Sequence, residues 1–299
     1  MSQTDRQRER GTAGQRRQVV SLLQNLPTDA RECDSVRWGV GFVAGIVMRI
    51  VAIVIVMLAA TATAHTAEIN AFISTAIKAA TDELLPPFER ANGHTIRASY
   101  APSGALIPRF DRGEPVDVFL TDSAAIDELI KRGKLVAPRT DLARTGIGIA
   151  VRKGAPKPDV SSPEALKRAL LAARSVGHAA PAGGSITAAH IERVFQRLGI
   201  AAEVTPKVKL AAGGPNGRVS VLVSSGEAEI GLQQVSELMS NPQVEVIGML
   251  PAELQLTTLY SAGVTTSARE GEAARALIKA LTAPSAAPIY KAKGLDPAW

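Results

Sequence analysis

Short runs rich in β-forming residues alternate with longer amphipathic runs from Glu68 to the end of the 299-residue chain. Such alternation predicts parallel sheets covered by helices, because a parallel crossover needs roughly a helix's worth of chain. Glu68–Ile73 reads as a strand, and Ala76–Asn92 as a helix stopped at Gly93 with Ile77, Leu84 and Phe88 facing inward. Pro86-Pro87 predicts a kink in that helix, since proline removes a donor and clashes with the preceding turn. Thr95–Ala101 is a second strand, followed by a turn at Pro102-Ser103-Gly104 and a short helix to Arg112. Val116–Leu120 is nearly all apolar, as buried parallel strands are, and Thr121-Asp122 offers an N-cap for a helix through Arg132.

The order then repeats. Gly146–Val151 predicts a long strand, Gly154-Ala-Pro-Lys-Pro a turn-rich boundary, and Ser162-Pro163 a capped helix start. Strand Ser175–Ala179 leads through Gly183-Gly184 to a helix ending at Leu198-Gly199. Strand Val208–Ala211 leads through the glycines of 213–217 to a helix and then to strand Glu229–Gln233. Strands near Val244–Gly248 and Leu256–Val264 precede a helix at Arg269–Leu281 and an Ala/Pro-rich tail. The units group before and after about residue 146, which predicts an α/β fold of two lobes, each a mainly parallel sheet flanked by helices.

The N-terminus belongs to neither lobe. Of 34 basic and 28 acidic residues, eight and five fall in residues 1–64, leaving 26 and 23 and a net charge of +3 beyond them. The single cysteine, Cys33, also lies in this leader. From Trp38 to Ala60 the chain is apolar apart from Arg49, and Thr61-Ala-Thr-Ala follows as a small-residue exit. A basic start, an apolar stretch and an Ala-x-Ala site read as a secretory signal peptide ending near Ala64, hence a periplasmic protein. Met48-Arg49 followed by Ile50–Ala60 is by itself a complete signal, so residues 1–47 read either as leader or as an upstream mis-start. The competing reading is a retained anchor, since Val40–Ala60 is long enough to span a bilayer. Removing the leader removes half the positive charge, and the remaining bases are scattered among few aromatics, which argues against nucleic acid as a partner.

Most catalytic signatures are missing. There is no phosphate-binding Gly-rich loop, and Gly146-Ile-Gly148 sits within a strand. His65, His94, His178 and His190 lack metal-ligand spacing, no Gly-x-Ser-x-Gly elbow occurs, and the exported part has no cysteine. What remains are small, polar turns between strand and helix: Ser74-Thr75-Ala76, Pro102-Ser103-Gly104, Gly183-Gly184-Ser185 and Asn216-Gly217. Each alone reads as helix capping. Together, at one edge of two parallel sheets, they predict a cleft for an anion.

The segments Ala101-Pro-Ser-Gly-Ala-Leu, Glu114-Pro-Val-Asp-Val-Phe-Leu, Phe195-Gln-Arg-Leu-Gly and Gly226-Glu-Ala-Glu-Ile-Gly-Leu, in this order, resemble the periplasmic molybdate-binding proteins. The resemblance runs from about Glu68 to Leu295. It implies a hinge-closing, two-lobed periplasmic-binding-protein fold, with one lobe from 65–145 plus 257–299 and the other from 146–256. It also implies a monomeric receptor without cofactor or metal, whose partners are a small anion and an ABC permease in the inner membrane. The family holds its oxyanion with hydroxyls and backbone N–H groups. Carried over, these map to Ser74, Thr75, Ala76, Ser103 and Gly104 in the first lobe. In the second they map to Gly184, Ser185, Thr187, Gly217, Gln233 and Gln234. Gln234 stands where the family has a tyrosine, a departure that admits an anion of another shape. Arg152-Lys-Gly-Ala-Pro-Lys-Pro-Asp-Val-Ser and Gln-Gln-Val-Ser-Glu-Leu also resemble aconitate isomerase, a branch of the same superfamily. That alternative implies an isomerase acting on a tricarboxylate and needs a general base, for which Glu237, His178 and His190 are candidates by residue type.

Overall fold

The computed structural model describes residues 66–181, 184–212 and 218–299. The leader with its export signal, Gly183 and the Asn216-Gly217 turn lie outside the described residues. Along the chain come β1 (Glu68–Ser74), a 3-10 turn at Thr75–Ile77, α1 (Lys78–Asn92), β2 (Thr95–Ala101) and α2 (Ser103–Asp111). Then follow β3 (Val118–Asp122), α3 (Ser123–Lys131), β4 (Thr140–Thr145), β5 (Ile147–Arg152), α4 (Pro163–Ala172), β6 (Val176–Ala179) and α5 (Ile186–Arg197). The chain continues with α6 (Ala201–Val204), β7 (Val208–Ala211), α7 (Val219–Ser225), β8 (Ile230–Gln234), α8 (Val235–Leu238) and β9 (Val244–Met249). It ends in β10 (Thr258–Val264), α9 (Gly271–Leu281), α10 (Ala287–Ala292) and β11 (Asp296–Pro297).

Two sheets form, ordered β11-β4-β10-β3-β1-β2 and β7-β6-β8-β5-β9. Parallel pairing is confined to β1 with β2 and β3, and to β6 with β7 and β8. The other strands add antiparallel, so each sheet is mixed, with three parallel strands at one edge and antiparallel strands completing the other. Period-2 alternation along β1 sends Ile69, Ala71 and Ile73 to one face of the first sheet, against Leu277 and Leu281 of α9. Phe72 points to the other face, where it meets Phe119 edge-on at 5.5 Å beneath α2 and α3. The second sheet is likewise covered on both sides, by Leu166, Ile191 and Phe195 on one and by Val219 and Val223 on the other.

Local sequence explains the helix starts. Asp122 accepts a hydrogen bond from the Ala125 N–H at 3.0 Å, and Ser162 from the Ala165 N–H at 3.1 Å, with Pro163 next. α1 continues as one helix through Pro86 and Pro87. The prolines fall on the outer side, and Asp82 and Glu83, whose carbonyls lose their donors, are exposed, while Leu85 and Phe88 hold the inner side. Strands β4 and β11 and helix α10 carry no clear pattern of their own. β4 forms because β10 and β11 pair with it from either side.

The chain passes from the first sheet to the second through Gly146 alone, and returns near Gln255. Gln255 fastens the two passages together. Its Oε1 accepts from the Ile147 N–H at 2.8 Å and its Nε2 donates to the Ile147 carbonyl at 3.1 Å. A Cβ on Gly146 would stand 2.6 Å from Met249 Cε, the end of a flexible, exposed side chain that can move aside.

Gly231, in the centre of β8, is equally constrained: a Cβ there would collide with Val223 and approach Val219 Cγ1 to 2.9 Å. Gly231→Ala is therefore expected to destabilise the protein by about 1–3 kcal/mol through overpacking, read as a lower urea midpoint at unchanged slope.

Candidate functional site

The carboxyl ends of β1, β2, β6, β7 and β8 surround a cavity of about 660 Å³ between the two sheets. Ligands of open α/β sheets bind at this edge, where helix N-termini converge. Ser74 closes β1, and its Oγ accepts from the Ala76 N–H at 3.4 Å and from the Ser103 hydroxyl at 3.1 Å. Both serines are buried although they line the cavity.

Beside them stands Tyr260, 1% exposed, which donates to Gln234 Oε1 at 2.8 Å. Gln234 in turn donates from Nε2 to Thr258 Oγ1 at 3.3 Å. The Tyr260 hydroxyl also meets Ser74, and burial drives its pKa far up, so the phenol stays protonated. Two further polar atoms in this region lack any partner: Gln233 Oε1 and Ser236 Oγ are buried and unbonded. Gln233 is 8% exposed and Ser236 1%, and both line the cavity.

Charges of both signs ring the opening. Lys78 Nζ bonds Asp82 at 2.7 Å and lies 4.2 Å from the centroid of the Tyr100 ring. Tyr100 donates to Asp82 at 3.2 Å, and burial pushes its phenol up to about 12. Lys293 pairs with Glu83. From the second sheet's side come Arg218, which is exposed, and Glu237 of α8. Burial pushes the Glu237 carboxyl up to about 7, opposed by a hydrogen bond from the Thr75 hydroxyl and by the Arg218 charge.

Of the residues singled out from sequence, Ser74, Thr75, Ala76, Ser103, Ser185, Thr187, Gln233 and Gln234 line the cavity together. Ser185 spends its hydroxyl on capping α5, accepting from the Ala188 N–H at 3.3 Å. Gly104 and Gly184 do not line it but touch each other: the Gly104 N–H donates to the Gly184 carbonyl at 3.1 Å. A Cβ on Gly104 would stand 2.7 Å from that oxygen, so the pair is a close backbone contact rather than a ligand surface. Gly217 lies outside the described residues.

Among the proposed bases the structure brings Glu237 to the cavity and neither histidine. His178 Nδ1 sits 2.8 Å from the Ala179 carbonyl and its ring packs on Phe195, with burial lowering its pKa. His190 Nε2 lies 2.7 Å from the Leu254 carbonyl. Sequence reasoning missed Tyr260, whose buried hydroxyl bonds Gln234. The available signal was a lone tyrosine within an otherwise small and apolar strand, since a buried phenol needs a partner. Tyr260→Phe leaves Gln234 Oε1 buried without its donor. The expected cost is about 1–3 kcal/mol, measured by denaturant unfolding.

Residues 69–296 match the bacterial extracellular solute-binding protein family. An aconitate isomerase from a Pseudomonas species is 36% identical over 222 residues, 72% of this chain and 82% of that protein. The molybdate-binding protein ModA of Azotobacter vinelandii is 27% identical over 235 residues, 77% of this chain and 90% of its own length. The solved periplasmic molybdate-binding protein of Azotobacter vinelandii superposes with a TM-score of 0.63 at 19% identity, covering 76% of this chain and 98% of that one. The two-lobed fold and the resemblance read from the motifs both hold, and the chain belongs to the bacterial extracellular solute-binding proteins.

Proposed function

We propose that the protein is an exported, monomeric receptor that captures a small anion in this cavity and delivers it to an ABC permease of the inner membrane. The observation that carries the reading is a cavity floored by the Ser74 and Ser103 hydroxyls, two of whose lining residues, Gln233 and Ser236, each hold a buried side-chain oxygen without a partner. Native proteins leave few buried polar groups unpaired, and two in neighbouring residues of one cavity support a ligand that reaches them as the lobes close. Membership in a family of binding proteins favours capture over turnover.

In this reading residues 65–145 with 257–299 form one lobe and 146–256 the other, and they close about the passages joined by Gln255. A ligand touching both lobes favours the closed state by its differential contacts. The lining favours an organic anion bearing several carboxylates over a bare tetrahedral oxyanion. Arg218 supplies a positive charge that forms no ion pair among the described residues, and Gln233 adds an amide that can both donate and accept. A cavity of about 660 Å³ is ample for such a molecule.

A second reading, an isomerase acting on a tricarboxylate, draws support from one observation: Glu237, with its carboxyl near neutral pKa, lines the cavity. A general base works best at such a value. The base would take a proton from a ligand carbon and return it to another.

Ligand screening by thermal unfolding tests the first reading. At a hundredfold excess over Kd, a true ligand stabilises by about 2.7 kcal/mol and raises Tm by about 5–10 °C. A shift from a di- or tricarboxylate, molybdate, tungstate or sulfate is expected, and silence from all of them overturns anion capture. Ser103→Ala is expected to weaken that ligand about tenfold or more, because a hydrogen bond to a charged group is lost. Incubation with cis-aconitate, followed by chromatography, separates the two readings: unchanged substrate at high protein concentration excludes the isomerase, and trans product establishes it.

A further inference from the structure

Three acidic side chains line the cavity, and they are not equivalent. Asp82 is paired with Lys78 and Glu83 with Lys293, so their charges are answered before any ligand arrives. Among the described residues no cation forms an ion pair with Glu237. Its hydrogen-bond partner is the Thr75 hydroxyl, next to the Ser74–Ser103 floor, and Arg218 acts on it only through space. α8 holds Glu237 against the 3-10 turn that carries Thr75 and against α7, β5, β8 and β9. The 3-10 turn, α7 and β8 bear no charged side chain. Glu245 of β9 is engaged by Lys157, and Arg152 of β5 lies at the end of that strand away from the cavity. Tyr260 also faces Glu237, and stays neutral.

An anion that docks on Ser74 and Thr75 therefore meets the Glu237 carboxylate, with no paired cation between them. Like charges at such range disfavour double ionisation. Protonated, Glu237 turns from acceptor to donor and can bond the anion it would otherwise repel.

We infer that anion capture in this cleft is proton-coupled: Glu237 takes up one proton from solvent as the ligand docks against Ser74 and Thr75. The inference rests on the anion-capture reading above. The sign follows from the direction of the change. Free Glu237, with its carboxyl at about 7, is mostly protonated below that pH and mostly ionised above it. The bound anion raises it further, so uptake is small at about pH 6 and approaches one proton at about pH 8. Affinity then falls about tenfold between those two values.

Isothermal titration of the exported protein, in two buffers of different ionisation heat at each pH, counts the protons. trans-Aconitate is one probe and molybdate, which carries no carboxyl, the other. The expected result is near one proton taken up at about pH 8, little at about pH 6, and loss of both the uptake and the pH slope in Glu237→Gln. Saturable binding without proton uptake at about pH 8 overturns the coupling and leaves capture standing. Uptake that persists undiminished in Glu237→Gln overturns the assignment to this residue. If neither probe gives heat or a melting shift, the capture reading fails and the coupling with it. Should the variant not fold, the proton count of the unaltered protein still decides.

Discussion

The hydrogen bond from Tyr260 to Gln234 joins the two sheets where their strands come closest to the cavity. β10 brings the tyrosine from the first sheet, and β8 ends in the glutamine of the second. Because the bond is buried, each partner relies on the other for what water would otherwise supply. The same hydroxyl reaches Ser74, which receives Ser103, so one chain of polar groups runs from Thr258 to the start of α2. Remove the phenol and Ser74 loses its polar connection to Gln234 of the other sheet.

Much of the fold was legible because its signals are local. Asp122 and Ser162 announce helix starts through bonds to N–H groups three residues on. The alternation of Ile69, Ala71 and Ile73 against Phe72 announces a strand covered on both faces. What escaped depends on partners far along the chain. β4 is defined by β10 and β11, more than a hundred residues later, and Tyr260 reaches the cavity only because its strand inserts antiparallel beside β3. The site divides the same way. Serines at strand ends were readable from their turns, whereas the separation of Glu237 from His178 and His190 required knowing which faces the sheets bury.

The cavity combines neutral donors at its floor with a carboxylate at its wall. Neutral hydroxyls suit an anion because many short hydrogen bonds replace hydration without a fixed counter-ion. A carboxyl near neutral pKa makes the charge of the wall depend on pH, which the hydroxyls of the floor do not.

The paired charges at the opening bear on kinetics. Lys78 with Asp82, and Lys293 with Glu83, form dipoles rather than a patch of one sign, so little field extends into solvent to draw an anion inward. In the capture reading proposed above, these pairs leave exposed Arg218 as the lining charge that could steer an anion, so entry would depend only weakly on ionic strength. In that reading selection falls to the hydroxyls and amides of the interior, after entry, where a wrongly shaped visitor leaves as readily as it came.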